Sequence, residues 1–168
     1  MFQIGERVRY GTEGVCTVVE IREMKVSHQR ARYYVLQPVN REGATVFVPL
    51  DNEALVAKMR TLLSAQQIEQ MLAHVAQEEP LWVENPVDRK AEFGRILLGG
   101  DRYELLRMIR SLYETRRTLG SRGRRLRAAD EQLLRDAERA INDEFAAVLG
   151  IPPREVPEYI RSKIAAQD

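Results

Sequence analysis

The chain has 168 residues, of which 44% are apolar and 30% charged, and its net charge is +1. That balance buries a core and keeps the surface solvated, which excludes disorder throughout; no apolar run approaches the roughly 20 residues of a membrane span. A single cysteine, Cys16, excludes an intrachain disulfide framework and fits a reducing, cytoplasmic compartment.

The first fifty residues read as strands at 6–10, 15–22, 32–38 and 44–50, rich in Val, Ile, Tyr, Phe and Thr. Turn signals separate them at 11–14, 27–30 and 40–43. In the last strand Ala44, Val46, Val48 and Leu50 take one face, and Thr45 and Phe47 the other. Tyr34 and Phe47 are expected opposite the main core face. There they either pack on helices or border a sheet edge that accepts a partner strand. Four or five short strands on tight turns predict a small, strongly bent sheet or barrel over 1–60.

Beyond Pro49 the periodicity turns helical. Ser64 with Gln67 forms a capping-box pattern ahead of Ile68, Met71, Leu72 and Val75. The segment 78–85 contains Pro80 and reads as a connector. Asn85-Pro86 opens a helix that stops at Gly99-Gly100, and Asp101 with Glu104 opens the next, which runs toward Gly120. A further helix begins near 127–130 and ends at Gly150, and a short one covers 158–165. The whole is an α+β protein: a β module over 1–60 and an all-helical bundle over 61–168.

Catalytic chemistry is sparse. His28 and His74 lie in different modules, and no zinc spacing, nucleophile elbow or phosphate-binding loop is present. Asp143 and Glu144 are adjacent on a helix and splay apart by about 100°. Cys16, inside a strand, reads as a buried structural thiol. The expectation is a non-enzyme with no catalytic residues, metal, cofactor or small-molecule substrate.

Charge is concentrated instead. Residues 102–127 hold nine arginines against two glutamates, while the flanking stretches 61–101 and 128–168 are each net negative. Arginine suits phosphate because its planar fork donates two parallel hydrogen bonds and stays charged at any working pH. The segment points to nucleic acid, and an acidic protein surface is the rival partner. Trp82, the sole tryptophan, stands in the connector beside Arg89 and Lys90. It reads either as a plug between the modules or as an aromatic that stacks on a base or wedges into a groove.

The opening IGxxVxYGxxGVC, the VPxDN at 48–52 and the GGDRYELLRMIRSLY at 99–113 together resemble the CarD/CdnL family of bacterial transcription regulators. The N-terminal module is also similar to the RNA-polymerase-interaction module of transcription–repair coupling factor. The resemblance implies a Tudor-like module that binds the RNA polymerase β subunit through Glu23, Met24, Lys25, Val46, Phe47 and Val48. It implies a helical domain that contacts promoter DNA near the transcription bubble and stabilises open complexes. Trp82, Arg89, Lys90, Arg95, Arg122, Arg124 and Arg125 are the expected DNA contacts, in a nucleoid-associated protein with no membrane partner. Two departures stand out. Pro86 occupies the place of the family's wedge tryptophan, with Trp82 four residues earlier, as in a Gram-positive type of branch. Phe47 occupies a strand position where relatives can carry Arg.

Overall fold

The computed structural model describes residues 1–165, which divide into two units, Met1–Leu63 and Ser64 onward. The first unit is a five-stranded antiparallel sheet in the order β4-β3-β2-β1-β5. Its strands are β1 (Arg7–Tyr10), β2 (Val15–Val26), β3 (Gln29–Pro38), β4 (Val46–Pro49) and β5 (Met59–Thr61). Apolar alternation puts Val8, Cys16, Val18, Leu36, Val48 and Met59 on one face, where they form the core.

Tyr34 belongs to this core and is 3% exposed, which corrects the expectation that it faces away. Tyr33, Tyr34, Val35 and Leu36 are all apolar, so alternation alone does not choose their faces. The pairing does, by setting Tyr34 opposite core residue Val48. The fifth strand moves the unit boundary as well. β5 pairs with β1 from Val8↔Thr61 to Tyr10↔Met59, so residue 60 lies inside a strand and the unit closes at Leu63.

β2 and β3 outrun their neighbours. β1 pairs with β2 only as far as Thr17, and β4 pairs with β3 only from Tyr33 to Leu36. Residues 24–31 therefore extend beyond the sheet as a two-stranded ribbon, and a bulge between Val18 and Glu20 adds local twist below it. Ser27 and His28 turn the ribbon with φ of 49° and 69°, the left-handed pair that a two-residue hairpin loop requires.

A short helix, α1 (Glu53–Val56), follows β4, with the Asn52 side chain accepting a hydrogen bond from Leu55 N. The second unit holds α2 (Ala65–Gln77), α3 (Pro86–Gly99), α4 (Arg102–Ser121), α5 (Ala128–Leu149) and α6 (Val156–Ala165). Its helices start where the capping residues place them. Ser64 and Gln67 complete a reciprocal capping box, Asn85 accepts from Val87 N and Asp88 N, and Asp101 accepts from Glu104 N. Gly100 and Gly150 end α3 and α5 in the left-handed conformation. The core is built from Ile68, Leu72, Phe93, Ile96, Leu105, Met108, Leu112, Leu134, Ile141 and Phe145, each fully or almost fully buried. Among the described residues, no helix is long and apolar enough to cross a membrane.

Candidate functional site

β4 has one strand neighbour, β3, and ends the sheet. Leu50 N donates to Arg32 O at 2.9 Å, which fixes the alternation of the ladder: Val46 and Val48 turn their backbone polar groups to β3. Phe47, between them, points its N–H and C=O off the edge. Its side chain is 42% exposed on the face away from the core, opposite Val35. The edge thus offers main-chain hydrogen bonds and an apolar anchor at one residue.

The six residues expected to meet polymerase do not share one face. Phe47 pairs with Val35, which pairs with Glu20, so Phe47, Glu20, Arg22 and Met24 lie on the outer face. Glu23, Lys25, Val46 and Val48 lie on the core side. Val48 is fully buried, so its side chain does not reach the surface as expected, and Val46 is partly buried against the core. Glu23 is paired with Arg30 across the ribbon, Nη1 to Oε1 at 3.3 Å.

The arginine segment separates into two populations. Arg102 binds the buried Glu144, with Nε at 2.6 Å from Oε1. Arg107 donates to Glu79 O at 3.2 Å and lies over the Tyr103 ring. Arg110, 8% exposed, donates from Nη1 to Val75 O and Glu78 O and from Nε to Glu114 Oε1, closing the C-terminal end of α2. These three are structural. Arg116 lies over the Tyr113 ring, with its guanidinium carbon 5.2 Å from the centroid.

The remaining five, Arg117, Arg122, Arg124, Arg125 and Arg127, are exposed, and no carboxylate pairs with them among the described residues. Four of these sit in the α4–α5 loop, whose backbone turns on its own hydrogen bonds. Arg124 N donates to Leu119 O at 2.8 Å, Gly123 takes φ of 68°, and Leu126 is buried while its arginine neighbours face solvent.

Arg89 is 4% exposed and its donors are spent inside the protein. Nε and Nη2 form a bidentate pair with Asp130 at 2.9 and 2.8 Å, and Nη1 donates to Val83 O and Glu84 O at 2.8 and 3.1 Å. It does not serve as a DNA cation. Its guanidinium carbon lies 4.3 Å from the centroid of Trp82, and Phe93 meets the same indole edge-on at 6.3 Å. Trp82 is half-buried, held on one face by a cation and at its side by a core aromatic. Arg95 is half-exposed, but Glu92 and Glu104 both bind it, at 2.7 and 3.2 Å, and offset its charge. Lys90 is exposed.

Comparison with known families matches residues 2–63 to the CarD-like/TRCF RID domain. The match spans the sheet from before β1 to the end of the first unit. Residues 2–63 belong to the CarD-like/TRCF RID domain family. This family is a non-catalytic, RNA-polymerase-interacting domain. No curated protein gives a significant match to the chain.

The free β4 edge and Cys16 both lie within the matched residues. Burial pushes the Cys16 thiol up to about 11, and its sulfur donates to Gly14 O at 3.7 Å, which is the structural role expected of it. Among the described residues no group of three or more His, Cys, Asp or Glu is arranged to hold a metal ion.

Sequence reasoning missed Asp130, whose partner is 41 residues away, and Leu126, the anchor under the arginine loop. An apolar residue inside SRGRRLR was the available signal for the second; the first left none.

Proposed function

We propose that the chain is a transcription regulator that binds the RNA polymerase β subunit through its RID domain and contacts promoter DNA through its helical unit. The observation that carries the first half is the RID family match over residues 2–63, which makes RNA polymerase the partner of the module at the family level. The open β4 edge at Phe47 supplies a physical means, because an edge strand with outward N–H and C=O groups accepts a strand from another protein.

The second half rests on the five unpaired arginines at the end of α4 and in the loop after it. Phosphate contacts of this kind are sequence-independent, and affinity through them is salt-dependent and weak at physiological salt. Weak intrinsic binding is sufficient for a tethered protein. Docking on polymerase raises the effective concentration of the helical unit beside DNA by a linker-limited factor. The consequence is a longer-lived open promoter complex.

The reading is tested by forming open complexes with purified polymerase and a promoter fragment, then challenging them with competitor DNA. Longer lifetimes in the presence of the full chain, abolished by replacing Arg124 and Arg125 with Glu, support it. Polymerase binding without any effect on lifetime would leave an adaptor that binds polymerase and an acidic protein surface.

A further inference from the structure

The second unit contains one buried side chain that joins three segments of the chain. Arg89 rises from the first turns of α3, forks onto Asp130 in the first turn of α5, and donates its remaining Nη to the connector carbonyls of Val83 and Glu84. Its flat face carries Trp82. Asp130 lies three residues beyond Arg127, the N-cap of α5 and the last arginine of the loop. The connector with Trp82 and the helix start that ends the arginine loop are therefore fixed to a common anchor.

We infer that the Arg89–Asp130 clasp makes the Trp82 connector and the α4–α5 arginine loop a single preorganised nucleic-acid surface, with Arg89 as its positioning residue. The inference rests on the proposed DNA contact and assigns how that contact is assembled. Both side chains of the clasp are almost fully buried, 5% and 7% exposed, so neither touches phosphate. The clasp acts through two effects. It holds the start of α5 and the connector in register, which spares DNA binding the cost of ordering long side chains. It also neutralises Asp130, whose carboxylate would otherwise face the arginines from the same turn and oppose an incoming phosphate.

These effects give a test whose sign separates the clasp from plain charge. Replacing Asp130 with Asn removes a negative charge next to the arginines, so electrostatics alone predicts tighter DNA binding. The clasp predicts the opposite: Asp130→Asn in the full chain weakens binding to a generic duplex by about tenfold, the ordering cost of two or three long side chains. Tryptophan fluorescence, which reports Trp82 alone, shifts in the same variant, while RNA polymerase binding stays as in the wild-type protein. Equal or tighter DNA binding by a folded Asp130→Asn variant, with shifted fluorescence, overturns the inference.

Hydrogen exchange on the wild-type chain, with and without duplex DNA at low salt, keeps the question open to refutation if the variant does not fold. Protection of 122–127 together with 81–85 is the expected result. Protection of 122–127 alone overturns the clasp and leaves the DNA contact standing. Protection of neither overturns both.

Discussion

Phe47 stands directly across the β4–β3 ladder from Val35, on the face of the sheet turned away from the core. Its backbone polar groups point off the sheet and its ring is 42% exposed, so one residue offers both halves of a strand-docking contact. An apolar residue here selects an apolar side chain on the incoming strand, where an arginine would select an acid. Phe47→Ala is expected to weaken RNA polymerase binding by roughly tenfold, the cost of a buried aromatic anchor. Phe47→Pro deletes the outward N–H as well and is expected to cost more. Biolayer interferometry with immobilised polymerase measures both. Wild-type affinity in the two variants would move the docking surface elsewhere on the domain.

The loop arginines predict a salt dependence. Each phosphate neutralised on duplex DNA contributes about 0.9 to the slope of log K against log salt. Replacing Arg124 and Arg125 with Ala is expected to make the slope shallower by about 1.8 and to weaken binding at every sequence alike. Fluorescence anisotropy with a labelled duplex over a series of salt concentrations gives the slope. An unchanged slope would remove both residues from the interface.

Arg110 and Arg124 are the same residue type in the same basic segment, and the fold uses them differently. Arg110 holds the last carbonyls of α2 and the Glu114 carboxylate from a buried position. Arg110→Met strips Glu78 O of its arginine donor, leaves Val75 O with Glu78 N alone and frees the Glu114 carboxylate, and it is expected to cost about 1–3 kcal/mol in urea unfolding. Arg124→Ala, at an exposed site, is expected to stay within about 0.5 kcal/mol of wild type.

Cys16 supplies a pH-dependent check on the sheet. Its thiol titrates near 11 in the folded protein against an ordinary value of 9.0, through burial. The folded state therefore holds the proton more tightly, and the associated stability is intact below pH 9 and lost as pH rises toward 11. At pH 8 the native thiol is expected to resist iodoacetamide, while the urea-unfolded chain is alkylated readily; mass spectrometry counts the adduct. Equal rates would place Cys16 outside the core.

The helical starts were legible because the determinants are local. Ser64, Asn85 and Asp101 each bond a backbone N–H two or three residues away, and a short window of sequence contains the whole interaction. The arginines were not legible, because their partners are distant in sequence. Arg89 meets Asp130 at a separation of 41 residues; within 102–127, Arg102 meets Glu144 at 42 and Arg110 meets Val75 O and Glu78 O at 35 and 32, so a count of charges there overstated the free cations. The partition into structural and exposed arginines emerges only once α3, α4 and α5 pack. Phe47 was readable from strict alternation in its strand. Tyr34, inside a run of four apolar residues, was not.

The most direct measurement is retention of core RNA polymerase by the full chain, compared with the Phe47→Ala variant under the same buffer. Polymerase is expected to be retained by the wild-type chain, with a clear loss in the Phe47→Ala variant. No retention by the wild-type chain would contradict the central claim that this RID domain docks on RNA polymerase.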